Sequence, residues 1–144
     1  MVSRPEPLDR ASFKAWRIFA TRWADNDAYG HVNNTVFYQW FDSAVNGWLV
    51  DARLLDIEAG DPIGLVVETR CSFFEPLTFP RPVEVGIAVA HVGTSSVRYR
   101  VGIFDVGAAR TAAHGEFVHV YVDRAARRPV PLPASWRAKL AELG

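Results

Sequence analysis

Thr21-Arg22-Trp23-Ala24-Asp25-Asn26-Asp27-Ala28-Tyr29-Gly30-His31-Val32-Asn33-Asn34 gathers two carboxylates, a histidine, a glycine and paired amides directly ahead of a long apolar segment. An aspartate with a reference pKa of about 3.9 is ionised at neutral pH, so Asp25 or Asp27 is available as a nucleophile or a general base. A helix starting just after the loop offers its first backbone amides, which have no internal partner and carry partial positive charge. Such amides can hold negative charge that develops on a substrate oxygen. Dense polar groups at the mouth of an apolar helix are costly to desolvate, and a chain that keeps them there has a use for them.

Each residue also has a structural reading. Asp27 suits a turn or cap as well as it suits catalysis. Asp25 reads as a partner for loop amides or an arginine. Gly30 implies a positive φ or a close backbone approach. Asn33 or Asn34 is a natural N-cap, and Tyr38 lies one helical turn past Asn34, on the same face, where it serves either a pocket or the core. Cys71 falls mid-strand and reads as a buried thiol. His114 and His119 are separated by an odd number of residues, so a regular strand points them to opposite faces. Ser95-Ser96 has no Gly-x-Ser-x-Gly context and is no nucleophile elbow.

The elements that position these groups follow from periodicity. Residues 13–23 alternate as a strand, with Trp16, Ile18 and Ala20 on one side and Arg17, Phe19, Thr21 and Trp23 on the other. A polar loop spans 24–32. From Asn33 or Asn34 to about Val50 the period becomes helical. Phe37, Phe41, Ala44 (or Val45) and Trp48 share a face with Val36, Trp40 and Leu49 beside them, while Thr35, Gln39, Asp42 and Asn46 form one polar stripe. A connector ending at Gly60-Asp61-Pro62 leads to strand-like segments at 63–75, 82–92, 95–106 and 110–122, in series as a meander. A proline-rich stretch precedes a short helix, Ala134 to Leu143. The fold class is α+β: a five-stranded antiparallel sheet wrapped around one long buried helix, with a sheet face or edge left for another subunit.

Composition narrows the function. A chain of 144 residues is one domain, 1–144, with a core at about 13–143. Sixteen basic and sixteen acidic side chains balance, which argues against nucleic-acid binding. One cysteine excludes an internal disulfide and fits a reducing cytoplasm. Met1 to Pro7 carries no signal-like apolar run, and no stretch is long enough to span a membrane.

The string Arg22 to Asn34, with Tyr38 one turn into the helix, resembles the motif of the hotdog-fold acyl-thioesterases, nearest the 4-hydroxybenzoyl-CoA thioesterase-like family. Phe73-Phe74-Glu75-Pro76-Leu77, Val92-Gly93-Thr94-Ser95-Ser96 and Val130-Pro131-Leu132-Pro133 agree with it, and the likeness runs over roughly residues 15–137. The resemblance implies a hotdog fold and a homodimer with two strands edge to edge, or a dimer of dimers, with active sites at the subunit interface. It assigns the catalytic carboxylate to Asp27, as nucleophile through a mixed anhydride or as general base for water. It assigns the polarising amide to Asn34. In the plant acyl-carrier-protein thioesterases, which share Asp-x-x-x-His-Val-Asn-Asn, the histidine corresponds to His31; their asparagine two residues after the aspartate is Tyr29 here. Gly30 and Tyr38, with Thr94, Ser95 and Ser96 from the partner subunit, are the implied substrate contacts. The expected function is hydrolysis of a fatty or aromatic acyl-CoA in the cytoplasm, with no metal or redox cofactor. The rivals are hydrolysis of acyl-carrier-protein thioesters and a hotdog module that binds without cleaving.

Overall fold

The computed structural model describes residues 4–144; the first three residues of the N-terminal segment lie outside the described residues. The elements are β1 (Ala15–Phe19), α1 (Asn34–Asp51), β2 (Ile63–Phe73), β3 (Val83–Val92), β4 (Ser96–Asp105), β5 (Ala113–Val122) and α2 (Ala134–Ala141), with short 3-10 turns at Arg10–Ser12 and Trp23–Asp25. The five strands form one antiparallel sheet in the order β1-β3-β4-β5-β2.

The apolar stripe of α1 makes it a core helix. Val36, Phe37, Trp40, Phe41, Ala44, Val45 and Leu49 are buried, while Thr35, Gln39 and Asp42 face outward. They join Val83, Val85 and Ile87 of β3, Val97, Tyr99, Val101 and Ile103 of β4, and Phe117 and Tyr121 of β5 in one cluster. Burying a side chain of the size of Phe41 or Leu49 contributes about 1.5–3 kcal/mol, so this helix and the inner sheet face stabilise each other. Breaks in register between Val66 and Glu68 in β2, and between Val89 and His91 in β3, bend the sheet around the helix. Trp136, Leu140 and Leu143 anchor α2 and the chain end, with the Trp136 ring 4.9 Å from that of Tyr121. Among the described residues no helix is long and apolar enough to cross a membrane.

Two expectations change. First, β1 covers five residues rather than the whole of 13–23, because the Thr21 hydroxyl donates to the Arg81 carbonyl at 2.9 Å and the chain then winds into the 3-10 turn. Second, only β3, β4 and β5 form a meander. β2 pairs with β5 at the far edge of the sheet, on the other side from β3. The segment from Phe74 to Pro82, with prolines at 76, 80 and 82, cannot make a tight hairpin and crosses the N-terminal end of α1. That crossing builds the site described next.

Candidate active site

The polar loop is held from within. Asp25 is 2% exposed and accepts from the Arg22 backbone amide at 2.8 Å and from the Arg22 guanidinium at 3.0 and 2.8 Å. Its carbonyl accepts from the Asn33 amide at 2.8 Å. Asp25 thus ties the start of the loop to its end, as a structural partner of loop amides and an arginine. Asn33 is the cap: its Oδ1 accepts from the Thr35 amide and the Thr35 hydroxyl, both at 2.9 Å. Gly30 has φ +81, and a Cβ placed there would meet nothing within 4 Å, so the backbone angle and not crowding requires glycine.

Asp27 closes the tip of the loop. Its amide donates to the His31 carbonyl at 2.8 Å, and its Oδ1 accepts from the Tyr29 amide at 2.8 Å, with the His31 amide at 3.5 Å. One carboxylate oxygen therefore fixes the turn; Oδ2 has no hydrogen-bond partner among the described residues. The crossing segment docks on the same loop. Thr78 donates its hydroxyl to the Gly30 carbonyl at 2.9 Å, the Phe79 amide donates to Asn26 Oδ1 at 3.1 Å, and the Val32 amide donates to the Leu77 carbonyl at 2.8 Å.

Between loop, helix start and crossing segment lies a cavity of about 270 Å³ lined by His31, Val32, Asn34, Phe37 and residues 73–77. Phe37 and Phe73 meet edge to face with ring centroids 5.0 Å apart. Apolar walls dominate, and Glu75 and His31 are the titratable side chains on them. The Thr35 amide is taken by the Asn33 cap, whereas the Asn34 amide donates to no group among the described residues, and Asn34 is one of the residues lining the cavity. A free first-turn amide on a residue that lines an apolar cavity is suited to holding a carbonyl oxygen as charge builds on it.

The structure gathers Asp27, Gly30, His31 and Asn34, with His31 and Asn34 on the cavity wall and Asp27 in the adjoining turn. Tyr38 is half-buried against Phe41, ring centroids 6.0 Å apart, and is not on this wall. Thr94, Ser95 and Ser96 lie at the far end of β3 from the crossing segment, so one chain does not bring them to the cavity. Of the aromatic residues of the first loop and α1, Phe37 lines the cavity together with Phe73 and Phe74 of the crossing wall, Trp40 and Phe41 belong to the core, and Trp23 stands 77% exposed with its ring on Phe79. The part that periodicity missed is the wall at 73–77; its one sequence signal is the Phe-Phe-Glu-Pro-Leu string itself. Cys71 is half-buried, and desolvation pushes its thiol pKa up to about 12, which leaves it protonated and unreactive. His119 is in the core and His114 on the outer face of the sheet.

A helix wrapped by a five-stranded antiparallel sheet, with its N-terminus and a carboxylate loop at an apolar cavity, defines a hotdog-fold thioester-processing protein. The family model of the thioesterase-like superfamily matches residues 21–140, and the chain belongs to that superfamily. The reaction class that goes with this membership is thioester hydrolysis. Among solved structures, the PA5185 protein of Pseudomonas aeruginosa is 44% identical with 96% of each chain covered and a TM-score of 0.92. PA2801, a putative thioesterase of the same organism, is 28% identical, covering 89% of this chain and 98% of its own, at a TM-score of 0.80. The BH1999 gentisyl-coenzyme A thioesterase is 25% identical over 88% of this chain and 99% of its own, at 0.73. Among curated proteins no match to the chain is found.

Proposed function

We propose that the protein is an acyl-CoA thioesterase that releases a free fatty or aromatic acid and CoA. The observation that carries this reading is the unpartnered backbone amide of Asn34, a residue lining the apolar cavity next to the turn that holds Asp27. The similarity to a gentisyl-coenzyme A thioesterase supports a CoA thioester as substrate. The thioester carbonyl accepts from the Asn34 N–H, and the acyl group rests against Phe37, Phe73 and Phe74. Asp27 then acts in one of two ways. As general base it takes a proton from water as the water oxygen bonds to the carbonyl carbon; the tetrahedral oxyanion collapses, the C–S bond breaks, and the thiolate takes up the proton. As nucleophile its carboxylate bonds to the carbonyl carbon, the C–S bond breaks and the thiolate leaves with a proton from solvent. Water then hydrolyses the mixed anhydride to the free acid and regenerated Asp27. His31 orients water or substrate, and Gly30 keeps the loop backbone close to it. The site needs no metal or redox cofactor.

In this reading the protein is a cytoplasmic homodimer or dimer of dimers joined through the free edge of β2. A second copy then supplies Thr94, Ser95 and Ser96 as substrate contacts, and Tyr38 borders the pocket so completed. The test is thiol release from short, medium, long and aromatic acyl-CoAs by wild type and Asp27→Asn. Turnover that falls at least about a hundredfold in the folded variant (roughly 2.7 kcal/mol of transition-state stabilisation) is expected. Turnover indifferent to the substitution would remove Asp27 from the mechanism. Hydrolysis of acyl-carrier-protein thioesters alone would change the substrate, and binding without cleavage would make the protein an acyl-thioester carrier or sensor.

A further inference from the structure

Residues 6–13 precede the stretch that matches the superfamily and form a strap across the outer face of the sheet. Phe13 is buried above Gly86 and Gly102, where a Cβ on Gly86 would stand 2.7 Å from its ring. Arg10 lies over the rings of Trp16 and Phe104 at 5.2 and 4.9 Å and pairs with Glu84 at 2.7 Å. These contacts fix one end of the strap over β3 and β4.

The other end is fastened to the start of β5. The Leu8 amide donates to the Thr111 hydroxyl and the Thr111 amide to the Leu8 carbonyl, each at 2.9 Å. Arg110 donates to the Pro7 carbonyl at 3.0 Å. His114 Nε2 lies 2.7 Å from the Glu6 carbonyl, and a carbonyl can only accept, so the ring carries its proton on Nε2. The same short segment carries the cavity wall on its other side. The Ala112 carbonyl accepts from the amides of Phe74 and Glu75 at 2.8 and 3.1 Å. The His114 ring stacks on the Phe74 ring, centroids 5.2 Å apart and planes tilted by 35°. Phe74 and Glu75 both line the cavity.

We propose that the N-terminal strap positions the Phe74–Glu75 wall of the acyl pocket, with His114 as the positioning residue that links them, bonded to the strap at Glu6 and stacked on the wall at Phe74. The role of that wall in acyl binding rests on the thioesterase reading above; the mechanical link does not. Two bonds to one carbonyl and one ring stack hold the wall, so loosening the strap frees the acyl-binding surface while leaving Asn34 on the helix side of the cavity and Asp27 in the adjoining turn undisturbed. The strap therefore acts on substrate binding and acyl selectivity rather than on the chemical step.

Two variants separate the contacts. His114→Phe keeps a ring against Phe74 and loses the bond to Glu6; His114→Gln keeps a donor and loses the ring. A chain beginning at Leu8 removes the Glu6 acceptor altogether. Amide exchange at Phe74 and Glu75 is expected to quicken at least about tenfold in His114→Gln, and also when the chain begins at Leu8, with the Gly93 amide, bonded to Ser96 at the opposite end of the sheet, as an unchanged control. With the best acyl-CoA, KM is expected to rise about fivefold or more while kcat stays within about twofold, and His114→Phe is expected to recover part of the loss seen in His114→Gln. Unchanged exchange at Phe74 and Glu75 in both His114→Gln and the shortened chain would overturn the proposal, as would an equal rise at Gly93, which would mark general loosening. If wild type hydrolyses no thioester, the exchange result still decides the link, and only the enzymatic reading falls.

Discussion

Asp25 and Asp27 sit two residues apart in one loop and do different work. Asp25 is enclosed, with the Arg22 amide and guanidinium satisfying both its oxygens, so removing it strands several donors. Asp25→Ala is expected to lower unfolding free energy by about 2–3 kcal/mol in denaturant titration, because the donors it satisfied lose their acceptor. Asp27 spends one oxygen on the turn and leaves the other open, so Asp27→Asn keeps an acceptor for the Tyr29 amide and should change stability by less than about 1 kcal/mol while activity collapses. Gly30→Ala tests the turn itself. At φ +81 an alanine is strained, and a loss of about 1 kcal/mol or more by thermal or denaturant unfolding is expected, together with slower turnover. Residue types singled out this loop as the candidate site. Asp25 already reads from the sequence as a partner for loop amides or an arginine, and the structure encloses it against the Arg22 amide and guanidinium; the open second oxygen of Asp27 is visible only in the folded loop.

At the scale of elements, α1 was the most legible part of the chain because its apolar positions repeat at the helical period for eighteen residues. Its cap was ambiguous between two adjacent asparagines, and the bonds of Asn33 to Thr35 decide it. Asn33→Ala should cost about 1 kcal/mol of stability by denaturant unfolding, whereas Asn34→Ala, which keeps its backbone N–H, should leave both stability and turnover nearly unchanged. β5 carries a pH-dependent contribution. His119 is 1% exposed, its Nδ1 is 3.0 Å from the Tyr121 hydroxyl, and Tyr121 in turn meets the Tyr99 hydroxyl at 2.7 Å. Burial lowers the His119 pKa from 6.5 to about 4. Between those values the unfolded chain binds a proton that the folded one does not. Stability is then fully present above pH 6.5 and declines by about 3 kcal/mol as pH falls toward 4. Unfolding titrations at pH 7 and pH 5 check this, and His119→Gln should flatten the difference. The turn residues at Gly93 and Gly107 marked the hairpins of the meander in advance, but nothing local marked where β2 would pair.

For the whole molecule, the decisive feature is the far position of β2. Its eleven residues pair with β5 on one side only, and Leu65, Val66 and Val67 are exposed along it. A long apolar edge of this kind is a surface for pairing with another chain. Sedimentation is expected to show at least a dimer for wild type, and Val67→Lys is expected to shift it toward monomer with loss of turnover, because in the proposed dimer a second copy supplies Thr94, Ser95 and Ser96 to the pocket. A monomeric wild type with full activity would remove the interface from the mechanism. The sequence by itself determined the class of fold, the buried helix, the charge balance and the loop that carries Asp27, His31 and Asn34, because each is set by residue type and by local period. The tertiary structure decided that Asp27 keeps an open second oxygen, which asparagine caps the helix and which aromatic residues line the cavity. It also decided that the chain between β2 and β3 crosses the helix start to form the cavity wall. Those outcomes depend on which distant strands pair, and strand pairing is settled by the competition of whole faces for burial, which no local stretch of sequence encodes.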